Sequence, residues 1–252
     1  MQIVSFPPWQ LGGADAAALI QRQGFAVLDA EQLATLPEQP QAAELARLAA
    51  SWQALPHDPH LLDGGRYRQR RHASIVLDEQ LKSWQEAPRR AHWQPIEYNA
   101  LHGGIERWFE PIEPALLQTP SLQRLVSGLA QLFSRISDLA QRYVELHQFR
   151  ITTEGGIGRP TPEGAHRDGV DFVVVILVQR HQVKGGETRV FDASGPAGLR
   201  FTMQQPWSAL LLDDRRVIHE TTPLQPLADA PGWRDTLVIT FRSAGFLQPQ
   251  TE

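Results

Sequence analysis

Cysteine is absent from the 252 residues, which removes disulfides, thiolate metal sites, iron–sulfur clusters and a cysteine nucleophile together. Any metal held by this chain must therefore use His, Asp or Glu. A run of about 18 uninterrupted apolar residues is also lacking, so no membrane-spanning helix is expected. There is no excess of positive charge: 24 basic against 28 acidic side chains leave a net charge of −4. That is the wrong sign for a phosphate-backbone binder, and nucleic acid is not an expected partner. The N-terminus, MQIVSFPPWQ, has neither a basic n-region nor an apolar run before a small-residue cleavage site, so a cytoplasmic location is expected. Internal repeats and low-complexity tracts are missing too. What is present, 42% hydrophobic and 21% charged residues, is an ordinary globular composition with chain enough for a sizeable core.

The two halves of the chain differ in texture. From Asp15 to Gln23, Pro40 to Trp52 and Ser121 to Arg142, Ala, Leu, Gln and Arg recur at helical spacing. In the last of these, Leu122, Leu125, Leu129, Leu132, Phe133, Ile136 and Leu139 form an apolar face fit to cover one side of a sheet. GFAVLD (24–29) and RYRQRRHASIVL (66–77) read as strands between the helices. After Tyr143 come seven strand-like runs, 143–152, 170–178, 187–192, 199–204, 207–214, 216–225 and 234–242, separated by Gly, Pro and Asp turns. Such spacing predicts a mainly β architecture, a double-stranded antiparallel β-fold with the N-terminal helices packed on one outer face. Residues 1–252 read as one domain, with a helix-rich N-terminal region (1–142) and a β core (143–245) carrying the site, because no linker-like stretch divides them.

The sharpest local feature is HRD at 166–168, after the Gly- and Pro-rich loop TEGGIGRPTPEG. In extended backbone residues i and i+2 face the same side, so His166 and Asp168 can address one point. Alone the pattern is weak: chance supplies about one H-x-D in every two chains of this composition. His219, in RVIHET, is the residue an antiparallel fold can return beside it. Two neutral imidazoles and a carboxylate occupy one face of an octahedral iron(II) ion and leave three positions open. Arg234 opens the last long strand, with Thr236 on the same face. A guanidinium with a neighbouring hydroxyl suits a carboxylate deep in a cavity, which implies a dicarboxylate ligand. Arg242 has the same parity, but its place near the chain end directs it to solvent.

HRD (166–168), His219 and RDT (234–236) resemble the H-x-D, distal His and Arg-x-Ser/Thr signature of the iron(II)- and 2-oxoglutarate-dependent dioxygenases. HQFRIT (147–152), PTPEGAHRDGVDFVVVILV (160–178), GGETRVFD (185–192), WSALLLDDRRVIHETTP (207–223) and RDTLVITFR (234–242) are similar to the bacterial family of these enzymes that includes a free L-isoleucine 4-hydroxylase. The likeness runs from Gly65 to Gly245 and is densest toward the C-terminus. It implies a jelly-roll, cupin-like core, iron(II) held by His166, Asp168 and His219, and 2-oxoglutarate as cosubstrate with its distal carboxylate on Arg234 and Thr236. It further implies dioxygen and hydroxylation of an unactivated C–H bond in a small substrate, a free L-amino acid being favoured. The stretch from His219 to Arg234 is longer than the usual one. The loop LADAPGW (227–233) absorbs the difference, provided that it shifts the strand register by an even number, since an odd shift turns Arg234 outward.

Taken singly, His166 and His219 read as hydrogen-bonded structural histidines, and the combination with Asp168 and Arg234 makes the metal reading. His57, His60, His72, His92, His102 and His181 read as surface or core side chains, and His147 as a neighbour of the metal loop. Arg66, Arg68 and Arg70 form either a solvated strand face or a contact for a substrate carboxylate. Glu163 and Asp171 flank the metal loop and read either as solvated loop acids or as partners, at a suitable distance, for an ammonium group. Trp207, Trp233 and Phe172 are expected in the core, and GGIG and KGGE as turns. Two rival readings stay open. A cupin-like metal-binding or sensing protein needs no buried guanidinium at Arg234. A dioxygenase acting on a peptide or protein side chain needs an open groove, whereas a free amino acid needs a pocket under a lid, for which the N-terminal helices are the candidate. The oligomeric state, monomer or homodimer, is not set by the sequence.

Overall fold

The computed structural model describes residues 15–78, 83–137 and 141–249. In chain order the elements are α1 (Ala16–Gln23), β1 (Phe25–Leu28), α2 (Ala30–Ala34) and α3 (Ala42–Leu48), which runs into a 3-10 turn (Ala49–Ala54). β2 (Arg68–Asp78), β3 (Ser83–Glu86), α4 (Pro114–Leu117) and α5 (Pro120–Ser134) follow. The remainder is strand: β4 (Gln141–Thr152), β5 (Phe172–His181), β6 (Val183–Gly185), β7 (Thr188–Asp192), β8 (Gly198–Phe201), β9 (Ala209–Asp213), β10 (Val217–Thr221), β11 (Leu224–Pro226) and β12 (Trp233–Arg242).

Seven strands form one antiparallel sheet in the order β1-β9-β5-β12-β4-β2-β3, and β10-β7-β8 form a second. β11 and β6 make a separate pair. Alternation along each strand sorts side chains into two cores. Val173, Leu177, Leu210 and Leu212 of the large sheet meet Val190, Leu199, Phe201 and Val217 of the small one. On the other face Val144, Leu146, Val174, Ile176, Leu237, Ile239 and Phe241 are covered by Leu122, Leu125, Leu129 and Phe133 of α5. Phe133 stacks on Phe172 at 4.2 Å and meets Phe241 edge-on at 5.1 Å. Each such fully buried ring contributes roughly 1.5–3 kcal/mol. The protein is thus mainly β, a jelly roll with its helices on one outer face.

The helical reading of 121–142 overshoots. α5 ends at Ser134, and Arg142 already lies in β4, where its guanidinium donates to Ser134 Oγ and to Ser137 at the helix end. Leu139 lies outside the described residues. The run 216–225 is two strands, since Thr222 and Pro223 separate β10 from β11 and Pro223 has no N–H to give a ladder. The N-terminal region is more than a helical cover: β1 forms one edge of the large sheet, and β2 with β3 the other. α2, α4, β3 and β6 are elements of three to five residues, too short for a periodicity to register. No helix of the described residues is long and apolar enough to cross a membrane.

Candidate active site

Backbone pairing brings the first two candidate residues together. Residues 158–166 run antiparallel to β10 and β11, with reciprocal bonds between Gly158 and Leu224 and between His166 and His219, the latter both 3.0 Å. A pair exchanging both bonds lies directly opposed with side chains on one face, and the two imidazole centroids are 4.6 Å apart. Asp168 completes the group: Oδ1 is 3.8 Å from His166 Nε2, and Oδ2 is 3.9 Å from His219 Nε2. All three ligand atoms lie within 4.8 Å of one another. The His166 ring is oriented by a 3.0 Å contact from Nδ1 to the Gly164 carbonyl. Nδ1–H donating there leaves the Nε2 lone pair for a ligand.

Two side chains that carry no motif hold this loop. Asp214, just past the end of β9, accepts the backbone N–H of Asp168, Gly169 and Val170 at 2.9, 2.8 and 3.1 Å. Burial, reinforced by the Asp168 charge, pushes its carboxyl up to about 7. Gln94 donates Nε2 to Asp168 Oδ1 at 2.9 Å, while its Oε1 accepts from Arg107 Nη2 at 2.8 Å and from Asn99 Nδ2 at 3.2 Å. Those two donors fix which end of the Gln94 amide faces Asp168. Replacing Gln94 by Leu is expected to weaken divalent-ion affinity about 10- to 100-fold, read by calorimetry with nickel(II). Unchanged affinity would show that Asp168 needs no such support.

Strand parity decides the rest of the cavity. On β12, Arg234, Thr236, Val238 and Thr240 face inward with the triad, while Leu237, Ile239 and Phe241 face the helices. The 227–233 loop therefore leaves Arg234 on the cavity face, while the pairing of β12 with β5 shifts by one residue between Asp235 and Thr236. Asp235, on the opposite face, is fully buried and accepts both Nε and Nη2 of Arg150 at 2.8 and 2.7 Å and Gln179 Nε2 at 2.7 Å. This ties β4, β12 and β5 together beside Arg234. Trp52, from the helical layer, donates Nε1 to the Phe149 and Thr236 carbonyls at 3.1 and 3.3 Å. Arg234 is 3% exposed, and its Nε and Nη2 have no hydrogen-bond partner among the described residues. Burial, helped by the Arg180 charge, pulls its pKa down to about 10. Unpaired buried donors of a cation call for an anion.

The other candidates divide. Arg68, Arg70, His147 and Glu163 line the cavity. Arg66 is exposed, and Asp171 binds Arg215 and the Ser243 N–H instead of facing the site. Arg66 precedes β2, so strand alternation does not govern it. Arg242 is half-buried and donates to the Ala244 and Gly245 carbonyls. Phe172 and Trp207 are core residues, whereas Trp233 sits half-buried against His181 and Arg150. Among the described residues no helix lines the cavity. α1, α3 and α5 contribute to the core on the far face of the sheet, and the irregular segment 91–111 adds His92, Gln94, Asn99 and Arg107 to the lining. Tyr98 of that segment packs on Gly169, where a Cβ would meet the ring at 2.6 Å.

Beyond Arg70 lies a second cluster of His72, His92, Glu145 and His147, all buried and able to bring ligand atoms within 4.8 Å of one another. Its bonding is already committed. Glu145 takes His72 Nε2 at 3.1 Å, His92 Nδ1 at 3.2 Å and Arg90 Nη1 at 3.4 Å, and His147 Nδ1 takes Arg70 Nη2 at 2.7 Å. Two guanidiniums supply the positive charge that an ion would bring, so the cluster reads as a hydrogen-bonded network. Burial, against the opposing pull of Glu145, pushes His92 down to about 4. The unfolded chain takes up that proton near pH 6.5, so between pH 6.5 and 4 the unfolded state binds more protons and stability falls with pH. The loss at His92 is roughly 3 kcal/mol by pH 4. Urea midpoints measured at pH 7, 5.5 and 4.5 are expected to fall in that order, less steeply in His92→Gln.

A family model described as 2OG-Fe dioxygenase matches residues 49–240, well over half of the chain. The chain belongs to the 2OG-Fe dioxygenase family. Enzymes of this family use iron(II), 2-oxoglutarate and dioxygen. Among curated relatives, an L-isoleucine-4-hydroxylase of Bacillus thuringiensis is 25% identical over 155 residues. That match takes in 60% of this chain and 64% of the relative, less than two thirds of its length. The crystal structure of a BsmA homologue from Methylobium petroleophilum superimposes with a TM-score of 0.91 at 48% identity, over 96% of this chain and all of that one. The IDO structure from Bacillus thuringiensis gives a TM-score of 0.74 at 18% identity over 90% and 97%, a likeness of fold.

Proposed function

We propose that this 2OG-Fe dioxygenase hydroxylates a C–H bond of a small free L-amino acid, with His166, Asp168 and His219 holding iron(II) and Arg234 with Thr236 holding the distal carboxylate of 2-oxoglutarate. The donor set fits the ion: two imidazole nitrogens and one carboxylate, with no sulfur, are ligands suited to iron(II). The unpaired donors of Arg234 fit a carboxylate. Iron bound there supplies the oxidising chemistry, coupling decarboxylation of 2-oxoglutarate by dioxygen to hydroxylation. The chain's own contribution is positional. Gly164 and Gln94 orient two of the ligands, Arg234 fixes the cosubstrate's far end, and Val170, Val175 and Val238 give the cavity an apolar wall that keeps water from the reacting carbon.

The observation that carries the amino-acid reading is Glu163. It lines the same cavity with Oε1 3.5 Å from His166 Nε2, and its Oε2 is buried without a partner among the described residues. An unpaired buried carboxylate oxygen beside the metal position suits an ammonium group. The side chains that 91–111 adds to the cavity wall favour a small molecule over a peptide segment, and a buried Arg234 favours catalysis over sensing. Succinate formation with iron(II), ascorbate, 2-oxoglutarate and each free L-amino acid tests the reading. L-isoleucine comes first, because the Bacillus relative is named for it. Succinate that no amino acid raises above the substrate-free rate would overturn it.

A further inference from the structure

The proposed amino-acid reading leaves one end of the cavity unused. Arg68, Arg70 and Arg107 line it and are 5%, 3% and 3% exposed. Asp58 is the carboxylate paired with them among the described residues, 2.7 Å from Arg68 Nε and 3.9 Å from Arg70 Nη1. Glu145 is taken up by His72, His92 and Arg90, and Glu163, whose charge also favours the cation at Arg107, makes no ion pair with any of the three among the described residues. The remaining partners are neutral. Arg107 donates to the Gln94 amide, and Arg70 donates to His147 while lying between the rings of Phe109 and Phe149, 3.6 and 4.4 Å from their centroids. Three buried cations against one paired acid are costly to hold together unless an anion joins them.

The unused donors mark where that anion belongs. Arg68 Nη2, Arg70 Nε and Arg107 Nε are buried, and none has a hydrogen-bond partner among the described residues. Stacking between two phenyl rings holds the Arg70 plane in place before any ligand arrives. Arg234, whose own free donors suit the cosubstrate, starts a different strand.

We infer that Arg68, Arg70 and Arg107 form a subsite for the carboxylate of the substrate itself, separate from the Arg234 pocket. Resting on the proposed reading, this assigns the substrate's free carboxylate to these three arginines, so that its amides and residues inside a peptide are excluded by this subsite. Arg107 also touches Gln94, which touches Asp168. One amide therefore joins the carboxylate subsite to the triad.

The experiment is calorimetry on full-length protein loaded with nickel(II) and 2-oxoglutarate. The probes are the free L-amino acids, their C-terminal amides, and the matching N-acetyl and 2-hydroxy acids. For the amino acid that binds, the amide is expected to bind at least about 100-fold more weakly. Arg107→Gln keeps an amide donor for Gln94 and removes the charge, and Arg68→Gln does the same beside Asp58. Each variant is expected to shrink the acid-to-amide ratio about tenfold or more while 2-oxoglutarate affinity stays within about threefold. A merely structural role for these arginines would lower acid and amide affinity together and leave the ratio where it was. Equal binding of acids and amides by the parent protein, an unchanged ratio in both variants, or no binding by any probe overturns the subsite. Binding of N-acetyl or 2-hydroxy acids without the amino acids supports the subsite and removes the free-amino-acid reading, so the two failures are told apart.

Discussion

Replacing Arg234 by Gln is expected to raise the dissociation constant for 2-oxoglutarate about 100- to 1,000-fold, measured by calorimetry with nickel(II), while nickel(II) affinity itself stays near that of the parent protein. The magnitude follows from burial. Arg234 is 3% exposed and has two donors without partners among the described residues, so a carboxylate docked there forms charge-assisted bonds away from water, where such bonds are strongest. The neutral amide reaches less far and leaves that carboxylate uncompensated. Arg234→Lys keeps the charge but loses the planar fork, and is expected to recover some of the affinity. A Gln variant that binds 2-oxoglutarate as tightly as the parent would remove Arg234 from the cosubstrate site.

His219→Ala is expected to lower divalent-ion affinity by more than about 100-fold, beyond the loss that follows removal of an outer supporting group, and to abolish succinate formation. His219 and His166 are tied backbone to backbone in a bridge of two hydrogen bonds, so the variant loses the ligand without loosening the pairing. Acid is expected to act in the same direction. Burial works against charge on His166, yet Asp168 and Glu163 outweigh it and raise its pKa above the ordinary value. A proton there competes with the ion, so affinity for manganese(II) is expected to weaken as pH falls through that raised pKa and to be restored above it. A His219→Ala protein that keeps parental affinity, or a parent protein whose affinity is flat from pH 8 to 5.5, would dissociate these residues from the metal.

Much of this site is legible in the amino-acid order. His219 and RDT stand on strands and His166 is bridged to His219, and in extended backbone parity alone tells which side chains share a face. The same rule makes Arg68 and Arg70 a pair of one parity, and both line the cavity. It fails for Arg66, which lies just outside β2, where alternation has no hold. The helical reading of 121–142 fails for a related reason. SRISDLAQR has helix-forming composition, but the pairing of β4 with β12 and β2 claims Arg142 for the sheet, and tertiary pairing outweighs local propensity.

Other features could not be read from the chain. Gln94, Asn99 and Arg107 sit in an irregular segment with no period and no motif, and Asp214 sits in what looks like any surface turn. Their roles arise because loops far apart in sequence meet over the triad. Regular alternation of side chains along strands is a local property, so the amino-acid order alone determined the mainly β architecture, the shared face of Arg234 with Thr236 and of Arg68 with Arg70, and the chemistry of the candidate metal ligands. Closure of the cavity, the companionship of three arginines with one paired acid, and the support of Asp168 by Gln94 were decided by the tertiary structure. They depend on long-range packing, which no spacing within the chain encodes.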